Sequence, residues 1–177
     1  IDVPKCCLYN VISKSDVYKK ASVGGIITKS VFTITAIGSL LEVKGFDRLI
    51  RVAEMLKKDG ISFCIQIIGR GEKEAELKRL VHELNVENEV HFLGFQANPY
   101  PYLKESDIFI STSISEGFSL VICEALVLGI PIVATNTAGA LELLEGGEYG
   151  VITEQNDLSI YVALKKYITD ETLRTEY

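Results

Sequence analysis

The sequence predicts an α/β domain, a doubly wound parallel sheet of about six strands with helices on both faces. Three observations carry that expectation. From residue 31 to residue 168, short apolar segments alternate with longer ones whose apolar residues recur at three-and-four spacing. The short segments are nearly continuous in apolar and β-branched residues, as strands covered on both faces require. Glycine-bearing loops follow the strands and so fall at the carboxyl edge of the sheet, where such folds bind ligands.

Taken in order, residues 1–30 stand apart from the rest. Residues 4–10 suit a short strand, and a polar turn leads to a brief helix over residues 16–21. The run V-F-T-I-T-A-I-G (31–38) is a buried strand stopped by glycine. The loop 39–45 enters a helix that carries Phe46, Leu49, Ile50, Ala53 and Leu56 on one stripe. Residues 61–69 form a second strand, closed by the turn Gly69-Arg70-Gly71-Glu72. A helix over 73–84 then aligns Leu77, Leu80, Val81 and Leu84. A third strand (90–94), a short helix (100–105) and a fourth strand (107–112) follow. The next helix spans 118–128, ended by Gly129 with Pro131 just beyond. A fifth strand (131–135), a helix opening at 137, a sixth strand (149–153) and a closing helix (158–168) complete the pattern.

Composition narrows the function. The 177 residues fit one domain or one lobe of a larger protein, and 47% hydrophobic with 24% charged residues is ordinary for a folded core. A net charge of -6 argues against nucleic-acid binding, which needs a basic face. No apolar run is long enough to span a membrane, and the first residues lack the layout of a secretory leader. No G-x-x-x-x-G-K-[ST] occurs, which sets aside P-loop nucleotide hydrolysis. Cys6, Cys7, Cys64 and Cys123 have no disulfide or zinc spacing and read as small thiols of a reducing compartment, with cytoplasm the default. His82 and His91 read as surface or satisfied histidines.

The chain is organised around residues 113–131, S-I-S-E-G-F-S-L-V-I-C-E-A-L-V-L-G-I-P. Two acids interrupt this apolar stretch, Glu116 at its mouth and Glu124 inside the helix. A carboxylate in an oily helix costs free energy unless something pairs with it. One reading is structural, a glutamate satisfied by backbone amides or a basic side chain. The other is a ligand site, because free amides at a helix start attract anions and Gly117 lets a ligand approach the backbone. Helical geometry would separate the two acids by roughly 12 Å along the axis, about the reach from sugar to ribose in a sugar nucleotide.

The pattern S-x-x-E-G-F-S-L-V-x-x-E-A-L-x-x-G-I-P-I-V-A-T, with Glu116 and Glu124 in its E-x7-E spacing, resembles the signature of glycosyltransferase group 1 (family 4, retaining, GT-B fold). The resemblance implies a Rossmann-like C-terminal lobe over residues 31–177 that binds a UDP-, GDP- or ADP-sugar without a cofactor or metal. Residues 1–30 would be the inter-domain connector. The N-terminal domain, which would supply a saccharide or glycolipid acceptor, would be absent, leaving this piece inactive in transfer alone. Polysaccharide assembly in the cytoplasm, peripheral to the inner membrane face in a full-length protein, follows from the same likeness.

Roles follow residue by residue from the resemblance. Glu116 would bond hydroxyls of the transferred sugar beside the Gly117 and Phe118 amides. Glu124 would hold the ribose, and the amides of Leu120 and Val121 would close over the phosphates. Lys44, a solvated loop lysine on the bland reading, would face the diphosphate. The family pattern G-R-(x)4-K-G has Ser39 here in place of its arginine, a loss of charge that Arg70 could offset. Gly69 and Arg70 would flank the base or donor, and Leu93 with Gly94 would meet the base through main-chain groups. Each of these last two turns also reads as a plain strand-ending turn. Asn136 stands where the family's A-T-D-x-G-G loop has an acid, and Glu142 follows at a position where the family carries one. Two alternatives stay open, a sugar-nucleotide epimerase of GT-B fold and a non-catalytic α/β regulatory module. The second wants clustered acids after the first strand, and Ile37-Gly38-Ser39 offers none.

Overall fold

A computed structural model describes residues 12–23, 31–170 and 172. The strand expected at residues 4–10, with Cys6 and Cys7, lies outside the described residues. Among the described residues, six strands form one sheet: β1 (Phe32–Ile37), β2 (Phe63–Ile68), β3 (Val90–Gly94), β4 (Ile108–Ser111), β5 (Ile132–Thr135) and β6 (Val151–Thr153). Their order is β3-β2-β1-β4-β5-β6 and every pairing is parallel. The doubly wound sheet expected from the sequence is therefore the one found. Order reverses between β1 and β4, so the loops leaving these neighbours diverge and open a crevice at their carboxyl ends.

Helices cover both faces. On one lie α2 (Phe46–Lys58), α3 (Glu74–Glu83) and α7 (Asp157–Thr169); on the other α4 (Tyr100–Lys104), α5 (Leu120–Leu128) and α6 (Ala138–Leu143). The N-terminal helix α1 (Lys14–Ala21) packs on α4 and α5. The stripe read from the sequence is what seats α2, since Leu49, Ile50, Ala53 and Leu56 are wholly buried and Phe46 nearly so. Complete burial of a leucine or isoleucine contributes about 1.5–3 kcal/mol. That anchorage fixes the loop just before α2, which carries Lys44. Among the described residues no helix is long and apolar enough to cross a membrane.

The central helix departs from expectation. It starts at Leu120 rather than residue 118, because Ser119 is extended (φ -106, ψ 109) and caps it, accepting from the Ile122 amide at 3.4 Å. Glu116, Gly117 and Phe118 thus belong to the loop, and only the Leu120–Glu124 part of the E-x7-E spacing is helical. The 12 Å helical separation does not apply. The serine directly before the apolar run that opens at Leu120 is the signal that marks the true start.

Candidate active site

The loop after β1 makes one 3-10 turn, Glu42–Lys44, and ends at Gly45 in the left-handed region (φ 61). It is sewn to the loop after β4 by two bonds. The Ile114 amide donates to the Val43 carbonyl at 2.8 Å, and the Thr112 hydroxyl donates to the Lys44 carbonyl at 2.9 Å. A Cβ at position 45 would stand 2.3 Å from the Thr112 carbonyl oxygen, so only glycine permits this approach. The result is an ion pair between Lys44 Nζ and Glu116 Oε2, residues 72 positions apart, both mostly covered.

Glu116 is held from the far side as well. Thr135 Oγ1 donates to the Ser113 carbonyl at 2.6 Å, and Gln155 Nε2 donates to the Ile114 carbonyl at 2.8 Å. The Gly139 amide at the start of α6 donates to the Glu116 carbonyl at 2.9 Å. A Cβ on Gly139 would lie 2.9 Å from the Gly117 backbone. Residues from β5, α6 and the loop after β6 therefore fix the backbone under this carboxylate.

Two adjoining cavities open here, at the switch point between β1 and β4. The first, about 230 Å³, is walled by Ser39, Lys44, Glu116, Phe118, Leu120 and Val121. The Leu120 and Val121 amides open α5 and donate no hydrogen bond to a described residue, so they are available to an anion. The second, about 350 Å³, shares Gly38 and Ser39 and continues to Gly69, Arg70 and Phe95. Gly69 (φ 151) comes so close to Gly38 that a Cβ would sit 1.8 Å from its carbonyl oxygen. The Arg70 guanidinium lies 4.7 Å from the centre of the Phe95 ring, which is 59% exposed. Arg70 is thus engaged with an aromatic face rather than with the Lys44 corner.

The remaining expected residues are placed differently. The Gly94 carbonyl accepts from the Gly69 amide at 2.9 Å and the Leu93 carbonyl from Gln96 Nε2 at 2.7 Å, and neither residue lines the cavities. Gly117 is exposed and off the walls. Glu124 does not line either cavity. Its Oε1 accepts from the Tyr100 hydroxyl at 2.9 Å, and Pro99, beside that tyrosine, borders the second cavity. Burial pushes the Glu124 carboxyl above its ordinary range, opposed by the Tyr100 hydrogen bond and the charge of Lys20. Burial first, and Glu124 second, push the Tyr100 phenol up to about 12, so it remains a donor.

Four partners escaped the sequence: Thr112, Gln155, Gln96 and Tyr100. Thr112, Gln155 and Tyr100 act through contacts distant in the chain, and Gln96 bonds Leu93 only three residues away. Only Tyr100, an aromatic in N-P-Y-P-Y at a sheet edge, carries a local signal. A groove between α2 and α3, about 450 Å³, is larger than either site cavity. Three of its cations are paired, Arg51 with Asp47 and Asp157, Lys73 with Glu76 and Arg79 with Glu83, whereas the buried Arg48 Nη1 has no hydrogen-bond partner among the described residues. Burial also pushes the free thiols of Cys64 and Cys123 up, which makes them poor nucleophiles. Among the described residues no group of three or more His, Cys, Asp and Glu side chains is arranged to hold a metal ion.

Known proteins similar to this chain include glycosyltransferases. An N-acetylgalactosamine-N,N'-diacetylbacillosaminyl-diphospho-undecaprenol 4-alpha-N-acetylgalactosaminyltransferase of Campylobacter jejuni is 37% identical over 98% of this chain and 47% of its own length. The chain spans less than half the length of such curated relatives. Staphylococcus aureus TarM, solved with UDP, superposes with a TM-score of 0.75 at 24% identity, over 92% of this chain and 36% of that one. Anabaena HepE, solved with UDP and glucose, gives 0.71 at 25% identity over 93% and 45%. The family described as Glycosyl transferases group 1 matches residues 24–177, covering β1 to α7 and both cavities, and the chain belongs to that family.

Proposed function

We propose that this chain is the donor-binding lobe of a retaining glycosyltransferase and seats a nucleoside-diphosphate sugar in the crevice between β1 and β4. One observation carries the reading: Lys44 and Glu116 meet beside the free amides of Leu120 and Val121 at the sheet's switch point. Acceptor binding falls to a further N-terminal domain, with residues 1–30 as connector.

Transfer breaks the bond between the anomeric carbon and a phosphate oxygen. Negative charge gathers on the departing diphosphate while positive charge grows on the sugar. Lys44 and the two amides meet that negative charge with donors already in place, which is the largest contribution such a site makes. Ser39 adds a neutral donor where the family pattern has a cation. Glu116 orients Lys44 and accepts from sugar hydroxyls, and the Arg70–Phe95 stack offers the base a flat face. The Leu93 and Gly94 carbonyls already hold internal hydrogen bonds, so their share in base contact falls to second lone pairs and to the neighbouring ring. Glu124 walls neither cavity, and its proposed ribose contact falls to the oxygen that Tyr100 leaves free. The Campylobacter relative's name specifies a diphospho-undecaprenol acceptor, which supports a lipid-linked acceptor at the inner membrane face for the longer protein.

Calorimetry with UDP-, GDP- and ADP-sugars tests the reading. One of the three binds, and Lys44→Ala weakens the matching nucleoside diphosphate about tenfold or more while sparing the nucleoside, since a hydrogen bond to a charged group is worth about 1.5–3 kcal/mol. Equal losses for both would argue against phosphate contact at Lys44.

A further inference from the structure

We infer that Tyr100 is a positioning residue for Glu124, fixing which carboxylate oxygen faces the ribose, and that α1 steadies the tyrosine through Lys20. The inference rests on the ribose role of Glu124 given above. Glutamate on a helix has three rotatable bonds, so a half-buried carboxylate needs an external contact to present one oxygen reproducibly. Tyr100 supplies it, donating to Oε1 at 2.9 Å, the carboxylate's one side-chain hydrogen bond among the described residues.

The tyrosine is itself fixed. It opens α4, whose Leu103 is wholly buried under the sheet. The Lys20 ammonium of α1 lies 5.6 Å from the ring centre, on the aromatic face. Asn98 Nδ2 donates to the Lys20 carbonyl at 2.9 Å, and the Tyr18 hydroxyl donates to the Val127 carbonyl of α5 at 2.8 Å. Three side-chain contacts thus tie α1 to Tyr100, to the loop just before α4 and to α5, which carries Glu124. An element that the resemblance assigns to the connector therefore reaches the acid at the ribose end of the site.

The test titrates the 177-residue chain with UDP, GDP and ADP and with their 2′,3′-dideoxy forms. Variants are Tyr100→Phe, Glu124→Gln, the pair together, and Lys20→Met. Tyr100→Phe should weaken the tightest ribonucleotide about three- to tenfold and leave its dideoxy form unchanged. On the Glu124→Gln background it should cost nothing further, and Lys20→Met should give a smaller loss of the same kind. A purely packing role would lower both nucleotide forms equally, and that result, or a full loss on the Glu124→Gln background, overturns the inference. Glu124→Gln losing affinity while Tyr100→Phe does not would sink Tyr100 alone. Unchanged ribonucleotide affinity in Glu124→Gln would remove the ribose reading, and Tyr100's part with it. Thermal melts accompany each titration, and Lys20→Met, which leaves α4 intact, decides the matter if Tyr100→Phe melts early.

Discussion

The two glutamates of the central motif are held in opposite ways. Glu116 sits in a loop whose backbone is bonded to β5, α6 and the loop after β1, and its carboxylate meets a cation. Glu124 sits on a regular helix, and its carboxyl meets a phenol in surroundings that disfavour its charge. The loop corner concentrates charged and backbone donors, which suits phosphate and developing charge. The helix corner offers one half-buried acceptor with a neutral donor at its back, which suits hydroxyls. The difference teaches that equal residues in one motif acquire different chemistry from what their backbones are fastened to.

The largest effect should come from disturbing the loop corner's backbone. Gly45→Ala forces a side chain into the left-handed region and against the Thr112 carbonyl, so it should cost about 3 kcal/mol or more in denaturant unfolding and abolish diphosphate binding. Gly117→Ala, where an added Cβ meets nothing within 4 Å, should change stability by only about 0.5 kcal/mol or less. If a ligand does approach that backbone, this second variant loses affinity while keeping its stability. Unimpaired binding would remove Gly117 from the site.

Next in size is the division of labour within the ion pair. Glu116→Gln frees Lys44 for phosphate and weakens hydroxyl contacts, so the ratio of nucleotide-sugar to nucleoside-diphosphate affinity should fall about tenfold. An unchanged ratio would reduce Glu116 to a partner of Lys44.

The smallest effect is a pH dependence at the helix corner. The folded-state pKa of Glu124 lies above its ordinary value of 4.5, so the folded chain holds this proton more tightly than the unfolded chain. The stability it contributes is complete below the ordinary value and is lost as pH rises through the raised one. Glu124→Gln should therefore stabilise the protein slightly at neutral pH and not at pH 4, as melts at the two pH values would show. Nucleotide affinity should run the other way, falling as acid protonates Glu124, with that step missing in the variant.

Most of the sheet was legible because buried parallel strands must be apolar throughout, and Val31 to Ile168 says so repeatedly. Lys44, Ser39 and Glu116 were legible as residues after strands, and the sheet brings them to one cavity. What could not be read was the fastening. Gln155 and Thr135 reach the 113–117 loop across neighbouring strands, and no periodicity announces a side chain that bonds a distant carbonyl. The helix start differs because the expectation sets it directly after Gly117, at residue 118, whereas Ser119 is still extended and caps the helix. The positions of Glu124 and of Arg70 depended on Tyr100 and Phe95, partners set by tertiary packing.

The most direct measurement is an amide NMR titration of the chain with the nucleoside diphosphate that binds it best. The account predicts the largest shifts at Ser39, Lys44, Leu120 and Val121, with smaller ones at Gly69 and Phe95. Shifts concentrated instead in the α2–α3 groove, around Arg48 and Lys73, would contradict it.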